Sequence, residues 1–307
     1  MANLATISPV AALAERLTLR ANSLIITIFG DAVLPRGGTI WLSDLIALSA
    51  LFGLSERIVR TAVYRLSKDG WLSSASRGRR SSYSVAEAGL ARFREAEARI
   101  YGDAPRHWDG QWCLVHLTPA MEQATRRTAR RELKWLGFGQ FGPTLLAHPS
   151  ADTTLVRTTL EAVGGKGTAI IFRGDIQSPA GNDELHTIVT RSWNLNELNM
   201  EYEGFIANFS PLLSDSGALA ALDEADCFAL RILLIHDYRR ILLKDPRLPA
   251  RLLPDVWRGG ATREMCRGAY RQIADRADSY LLVNLHPQHD RMPPLAEYYR
   301  HRFGGLK

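Results

Sequence analysis

The chain has 307 residues, 46% hydrophobic and 23% charged, with a formal net charge of +6. That length exceeds a single core of ~250 residues, and the composition is that of a globular protein, which excludes a fibre or a disordered chain. Residues 1–100 hold 13 Lys+Arg, 12 of them Arg, against 8 Asp+Glu, while the rest of the chain holds 25 against 24, the asymmetry expected of a nucleic-acid-binding arm on a near-neutral body.

Cys113, Cys227 and Cys266 lie far apart without a Cys-x-x-Cys pair, so neither a disulfide framework nor a thiolate zinc site is indicated, and a reducing cytoplasm fits. The start of the chain lacks the pattern of a secretory signal, and no uncharged apolar run approaches ~18 residues, so no membrane partner is expected.

In chain order, Leu19 to Phe29 reads as an apolar, buried helix and Asp31 to Thr39 as a turn. Ser43 is placed to cap a helix from Asp44 to Phe52, and Ser55 another from Glu56 to Asp69, a helix-turn-helix pattern. The second helix divides into an apolar face (Ile58, Val59, Ala62, Val63, Leu66) and a polar one (Arg57, Arg60, Thr61, Tyr64, Arg65, Lys68). Trp71 to Ala75 and Ser82 to Val85 then read as two strands around a tip containing Arg77, Gly78, Arg79 and Arg80. A helix fits the major groove and the arginine fork matches the two acceptors of guanine, while a cationic hairpin beside it neutralises phosphate. A helix-turn-helix followed by a basic hairpin is the winged-helix pattern, so these nine residues are the candidate readers of double-stranded DNA. Ala86 to Tyr101 resumes a helix, and Gly102 with Pro105 marks a boundary.

Beyond it, Trp112 to Thr118, Phe141 to Ala147 and Thr168 to Phe172 read as extended. Met121 to Leu136, carrying Arg126, Arg127, Arg130, Arg131 and Lys134, and Asp152 to Val163 read as helices. The order β-α-β-α-β, with a central strand that Pro143 can split, predicts a small ferredoxin-like α+β sandwich. From 183 onward the pattern is helical: Glu184 to Trp193, Leu195 to Phe209, Ala218 to Lys244 and Thr262 to Leu282. The expected fold is thus α+β and multidomain, with a winged-helix domain at 1–102, a ferredoxin-like domain at 106–180 and a helical domain at 183–307 for effector binding or dimerisation.

Other motifs carry less. Gly137-Phe138-Gly139-Gln140-Phe141-Gly142 spells G-x-G-x-x-G, but it follows a helix and runs into Pro143, so a helix cap and turn is the better account. Gly164 to Thr168 resembles a phosphate loop more weakly still. His286, His289 and Asp290 read as a surface loop rather than a metal site, and no catalytic motif is present, so neither a metal, a cofactor nor an enzyme is indicated. His236, Tyr238, Arg239, Arg240 and Lys244 recur along one helix and suit an anionic, partly apolar ligand, with Trp257 a further candidate to line it, against the alternative of a solvated helix end.

The strings Arg36-Gly37-Gly38, Val59-Arg60-Thr61-Ala62-Val63-Tyr64-Arg65-Leu66, Gly70-Trp71-Leu72 and Gly78-Arg79-Arg80-Ser81-Ser82-Tyr83 resemble the PaaX family of repressors of phenylacetic acid degradation genes. So do His236-Asp237-Tyr238-Arg239-Arg240, Lys244-Asp245-Pro246 and the terminal Arg302-Phe303-Gly304-Gly305-Leu306. The resemblance implies a winged-helix reader, a central domain similar to Cas2 nucleases and a helical C-terminal domain. It also implies a homodimeric repressor on palindromic operator DNA, released by phenylacetyl-coenzyme A or a related aryl-coenzyme A. Two other readings remain: a nuclease, for which Trp112 to His116 offers no carboxylate and only Asp109 lies nearby, and an acyl-coenzyme A-handling enzyme with an appended DNA-binding domain.

Overall fold

A computed structural model describes residues 8–102, 108–177, 182–287 and 293–306. The chain opens with α1 (Pro9–Arg16), capped by Ser8, whose hydroxyl accepts from the Val10 amide, and α2 (Ala21–Ile28). The expected turn after α2 is instead helical: a π-turn at Phe29–Val33 runs into a 3-10 turn at Leu34–Arg36 and stops at Gly37, φ +89°. Then come β1 (Thr39–Trp41), α3 (Leu42–Ala50), α4 (Glu56–Lys68), β2 (Leu72–Arg77), β3 (Arg80–Val85) and α5 (Glu87–Tyr101). Next follow β4 (Trp112–Leu117), α6 (Gln123–Trp135), β5 (Gly139–Gln140), β6 (Leu145–His148), α7 (Thr153–Ala162) and β7 (Ala169–Gly174). The remainder is α8 (Asn182–Ser192), α9 (Leu195–Leu213), α10 (Ser216–Ala221), α11 (Glu224–Leu242), α12 (Gly259–Asn284) and α13 (Glu297–Arg300).

The elements form a mixed α+β chain with two small antiparallel sheets, ordered β1-β3-β2 and β5-β6-β4-β7. They gather into two compact units: residues 1–103, 202–243 and 259–307 form one, and 104–201 with 244–258 the other. This division runs across the stretch 183–307, which the sequence reading treats as one helical part.

In the first unit α11 is the central element. Every residue from Cys227 to Tyr238 is buried, and the helix packs against α1, α2, α5 and α12. The expected single helix from Ala218 to Lys244 is broken at Leu222-Asp223, because the Asp223 carboxylate accepts from the Asp226 amide at 2.7 Å and caps a new helix. The cap expected of Ser43 is not made either: α3 begins at Leu42, two residues earlier than expected, and the Ser43 hydroxyl donates to Asp44 Oδ1.

A charged cluster lies at the heart of this unit. Asp31, on the π-turn, accepts from the Tyr101 and Tyr270 hydroxyls at 2.7 and 2.8 Å and from Arg302 Nη1 at 3.1 Å, and Arg231 Nε lies 2.9 Å from its other oxygen. Pro35 has no amide hydrogen to offer the Asp31 carbonyl four residues earlier, and Arg302 donates to that carbonyl at 3.0 Å. Arg302 also grips both oxygens of Glu97 at 2.7 Å and lies over the Tyr101 ring at 3.9 Å, while Arg231 pairs with Asp278 at 2.8 Å. Burial opposes the charge on Arg302, yet the surrounding phenols and carboxylates hold it well above the usual guanidinium value. Burial is also the main cause that raises the Glu97 carboxyl.

The second unit is built on the four-stranded sheet, whose order β-α-β-β-α-β gives the split βαβ arrangement. One face packs on α6 and α7 through Val115, Leu117, Ala129, Leu133, Leu146, Val156 and Leu160. The other carries Trp112 and Ala147 against Val189, Leu195, Leu248 and Leu252. The G-x-G-x-x-G string does serve as cap and turn. Gly137 has φ +91°, the Phe138 amide returns to the Leu133 carbonyl, and a Cβ on Gly139 would meet the Trp193 ring at 2.7 Å.

Candidate nucleic-acid interface

The face of α4 is set by which residues its neighbours cover. Val59, Ala62, Val63 and Leu66 are buried, and α2 and α3 pack against the helix. Ile58, expected in that apolar row, is instead 41% exposed, because it sits at the edge of the buried stripe. All six residues of the opposite face, Arg57, Arg60, Thr61, Tyr64, Arg65 and Lys68, are exposed, Tyr64 at 68%. Gly70, φ +70°, stops the helix, and the Trp71 amide returns to the Leu66 carbonyl at 2.9 Å.

The hairpin that follows is tighter than the sequence suggests. Arg77 and Arg80 are cross-strand partners, so the tip is the two-residue turn Gly78-Arg79, with Gly78 at φ +63° as a two-residue hairpin of this type requires. β1, unforeseen in the sequence, closes the sheet by pairing Trp41 with Ser82, and the Arg80 guanidinium lies 4.3 Å from the Trp41 ring centre. Arg77, Arg79 and Arg80 are all exposed.

The exposed cations differ in what already holds them. Arg60 is paired with Glu56 one turn earlier at 2.7 Å, and the Thr61 hydroxyl donates to the Arg57 carbonyl at 2.9 Å. Arg57, Arg65, Lys68 and Arg79 make no ion pair with a described residue. They are exposed, so an anion that reaches them displaces water and counterions rather than a carboxylate of a described residue.

Of the six candidate ligand residues, four belong to the first unit and two to the second. His236 is buried, its Nδ1 3.2 Å from the Thr27 hydroxyl, and burial, with Arg239 and Arg240 beside it, lowers its pKa to about 4. Tyr238 is buried, its ring 6.0 Å from that of Phe205. Arg239 donates to the Ser23 carbonyl and hydroxyl and to the Thr27 hydroxyl at 3.3–3.4 Å. Arg240 pairs with Asp237 at 3.1 Å. Lys244 and Trp257 belong to the second unit, where Lys244 pairs with Glu201 at 2.7 Å and Trp257 packs on the cluster around Trp112. His236 and Tyr238 are therefore buried in the core of their unit rather than on a solvated helix end.

Elsewhere, the His286 amide and ring bind the buried carboxylate of Asp44 at 2.9 and 3.1 Å, while His289 and Asp290 lie outside the described residues. Among the described residues no group of three or more His, Cys, Asp or Glu is disposed to hold a metal ion, and no helix is long and apolar enough to cross a membrane. Asp109 precedes β4, where it accepts from the Gln111 amide and pairs with Arg173 at 3.2 Å. The largest feature that sequence reasoning missed is the Asp31–Arg302 cluster; its one sequence signal was the terminal Arg302-Phe303-Gly304-Gly305 string.

Comparison with known proteins finds matches along most of the chain. Residues 20–89 match the PaaX-like protein model, 105–186 the PaaX protein central Cas2-like domain, and 193–283 the PaaX-like protein C-terminal domain. The chain is 39% identical over 286 residues to the transcriptional repressor PaaX of Escherichia coli (strain K12), covering 93% of this chain and 90% of that one. An uncharacterized protein of Mycobacterium tuberculosis, Rv0674, is similar in fold, with a TM-score of 0.55 at 23% identity over 85% of this chain and 99% of that one. With three successive models matched and a curated relative aligned nearly end to end, the chain belongs to the PaaX family.

Proposed function

We propose that the protein is a DNA-binding transcriptional repressor whose reading head is a winged helix-turn-helix formed by α3, α4 and the β2-β3 hairpin. The observation that carries the reading is the solvent-facing row of α4, cationic but for Glu56 at its start, followed by a hairpin with three exposed arginines. In this reading Arg57, Arg60, Thr61, Tyr64, Arg65 and Lys68 enter the major groove, and Arg77, Arg79 and Arg80 meet the backbone or the adjacent minor groove. The curated relative is a repressor, which supports the same class of function and not an enzyme.

A single reading helix covers too few base pairs for specific affinity, so the protein acts as a homodimer on a palindromic operator, with half-sites ~10 bp apart or a multiple of it. Phenylacetyl-coenzyme A, or a related aryl-coenzyme A, releases it by binding the non-reading conformation more tightly. The three-part division at 1–102, 106–180 and 183–307 assigns reading to the first part and effector binding and dimerisation to the last. Of the six candidate effector residues, Arg240 and Lys244 are the ones solvent reaches most, with side chains 45% and 53% exposed.

The test is a fluorescence-polarisation titration of the full chain on duplex from its own promoter, with and without phenylacetyl-coenzyme A. Specific binding that the thioester weakens and free phenylacetate does not is the expected result. Equal affinity for promoter and scrambled duplex would overturn the repressor reading.

A further inference from the structure

The cations of α6 lie outside the reading head, and they divide by what they touch. Arg126 is occupied by the carbonyls of Thr118, Pro119 and Met121, and Arg131 by Glu132. Arg130 and Lys134 instead line a cleft of about 610 Å³ that Phe141, Pro143, Arg191 and Ser192 help complete. No carboxylate is among the residues that line it. Arg130 donates one nitrogen to the Pro143 carbonyl at 2.6 Å, while its Nε is buried with no hydrogen-bond partner. Lys134 and Arg191 are exposed and pair with no described residue.

Three cations, two from one turn of α6 and one from the end of α8, face one space without a carboxylate and repel each other until an anion enters, and phosphate oxygens suit a guanidinium fork and an ammonium together. The wall between them is aromatic and fixed. The Phe141 ring makes edge contacts with Trp112 and Trp193 at 5.5 and 5.9 Å between centres. The site is an open depression whose cations gather at one place, which suits a compact group of phosphates rather than a length of duplex, whose phosphates need cations along a line.

We propose that this cleft on the Cas2-like domain binds a nucleotide-type ligand through two or more phosphate groups, held by Arg130, Lys134 and Arg191 with Phe141 against a flat or apolar part. The assignment rests on the coenzyme A effector reading and gives the phosphates of that ligand a place. Arg240 and Lys244 suit it less well, because Asp237 and Glu201 already neutralise them.

Isothermal titration of the full chain without DNA, using coenzyme A, ADP and adenosine as probes, tests it. Coenzyme A and ADP should bind, and adenosine at least tenfold more weakly. The double variant Lys134→Ala/Arg191→Ala should weaken coenzyme A and ADP at least tenfold while keeping the parent's melting temperature and its operator affinity without ligand. Coenzyme A binding that leaves operator affinity unaltered would support the cleft and sink the effector reading alone. Equal binding of ADP by parent and double variant, or no binding of ADP and coenzyme A at millimolar concentration, would overturn the proposal. So would a double variant whose only defect is weaker binding to non-specific duplex, since the patch would then serve a nucleic-acid backbone.

Discussion

Arg231 and Arg302 lie fully buried between carboxylates and phenols, whereas Arg57, Arg65 and Arg79 are exposed and make no ion pair with a described residue, all within the same compact unit. The residue type is the same and the physics is opposite. A buried guanidinium is tolerated because Asp31, Glu97 and Asp278 surround it, and removing it leaves those acids charged in a medium that cannot solvate them. An exposed guanidinium without a partner adds little to folding and is available to a phosphate or a base edge. Mutations should therefore separate the two groups into stability and recognition.

The largest effect is expected at Arg302. Arg302→Ala should lower the unfolding free energy by about 3–5 kcal/mol, because Asp31 and Glu97 lose their shared cation. Urea denaturation measures this, and a loss below 1 kcal/mol would mean that the cluster is not what holds Arg302 to the π-turn.

Next in size is a pH effect in the buried class. His236 and His148 are both held down to about 4, His236 chiefly by burial and then by Arg239 and Arg240, His148 by burial. An unfolded histidine takes its proton near 6.5, so each contributes stability that is complete above about 6.5 and lost as pH falls toward 4, by at most about 3 kcal/mol. The urea midpoint should drop across that window, and His236→Gln should flatten the drop. A midpoint in the variant with the parent's full pH dependence would count against a neutral buried imidazole.

In the exposed class, Arg65→Ala should leave the melting temperature unchanged and weaken operator binding by about 1–3 kcal/mol with relaxed preference at one base position. Arg60→Ala should do the same by a smaller amount, since Glu56 already holds that side chain. Arg79→Ala is expected to be the mildest, weakening all duplexes alike and reducing the salt slope by about one. Binding across a salt series separates the two behaviours, and a sequence-selective defect in Arg79→Ala would move the tip of the hairpin into the readout.

The exposed half of this comparison was legible in the sequence and the buried half was not. The two faces of α4 follow from three- and four-residue spacing, which depends on local geometry alone. Only Ile58, at the edge of the stripe, was misplaced. The partners of Arg302 on the π-turn stand 271 and 272 residues away, and no local pattern reports them. The same blindness affected α11. His236 and Arg239 read as a polar stripe because their partners, Ser23 and Thr27, come from α2. β1 was missed because three residues become a strand only when β3 pairs with them. The break before α11 carried a signal that went unused, the capping residue Asp223.

The central claim, that the exposed face of α4 reads sequence, is tested most directly by titrating Arg65→Ala and its parent on promoter duplex and scrambled duplex at one salt concentration. The variant, folded as stably as its parent, should lose affinity for the promoter about ten- to a hundredfold while its affinity for scrambled duplex changes far less. Equal losses on both duplexes, or none on either, would contradict it.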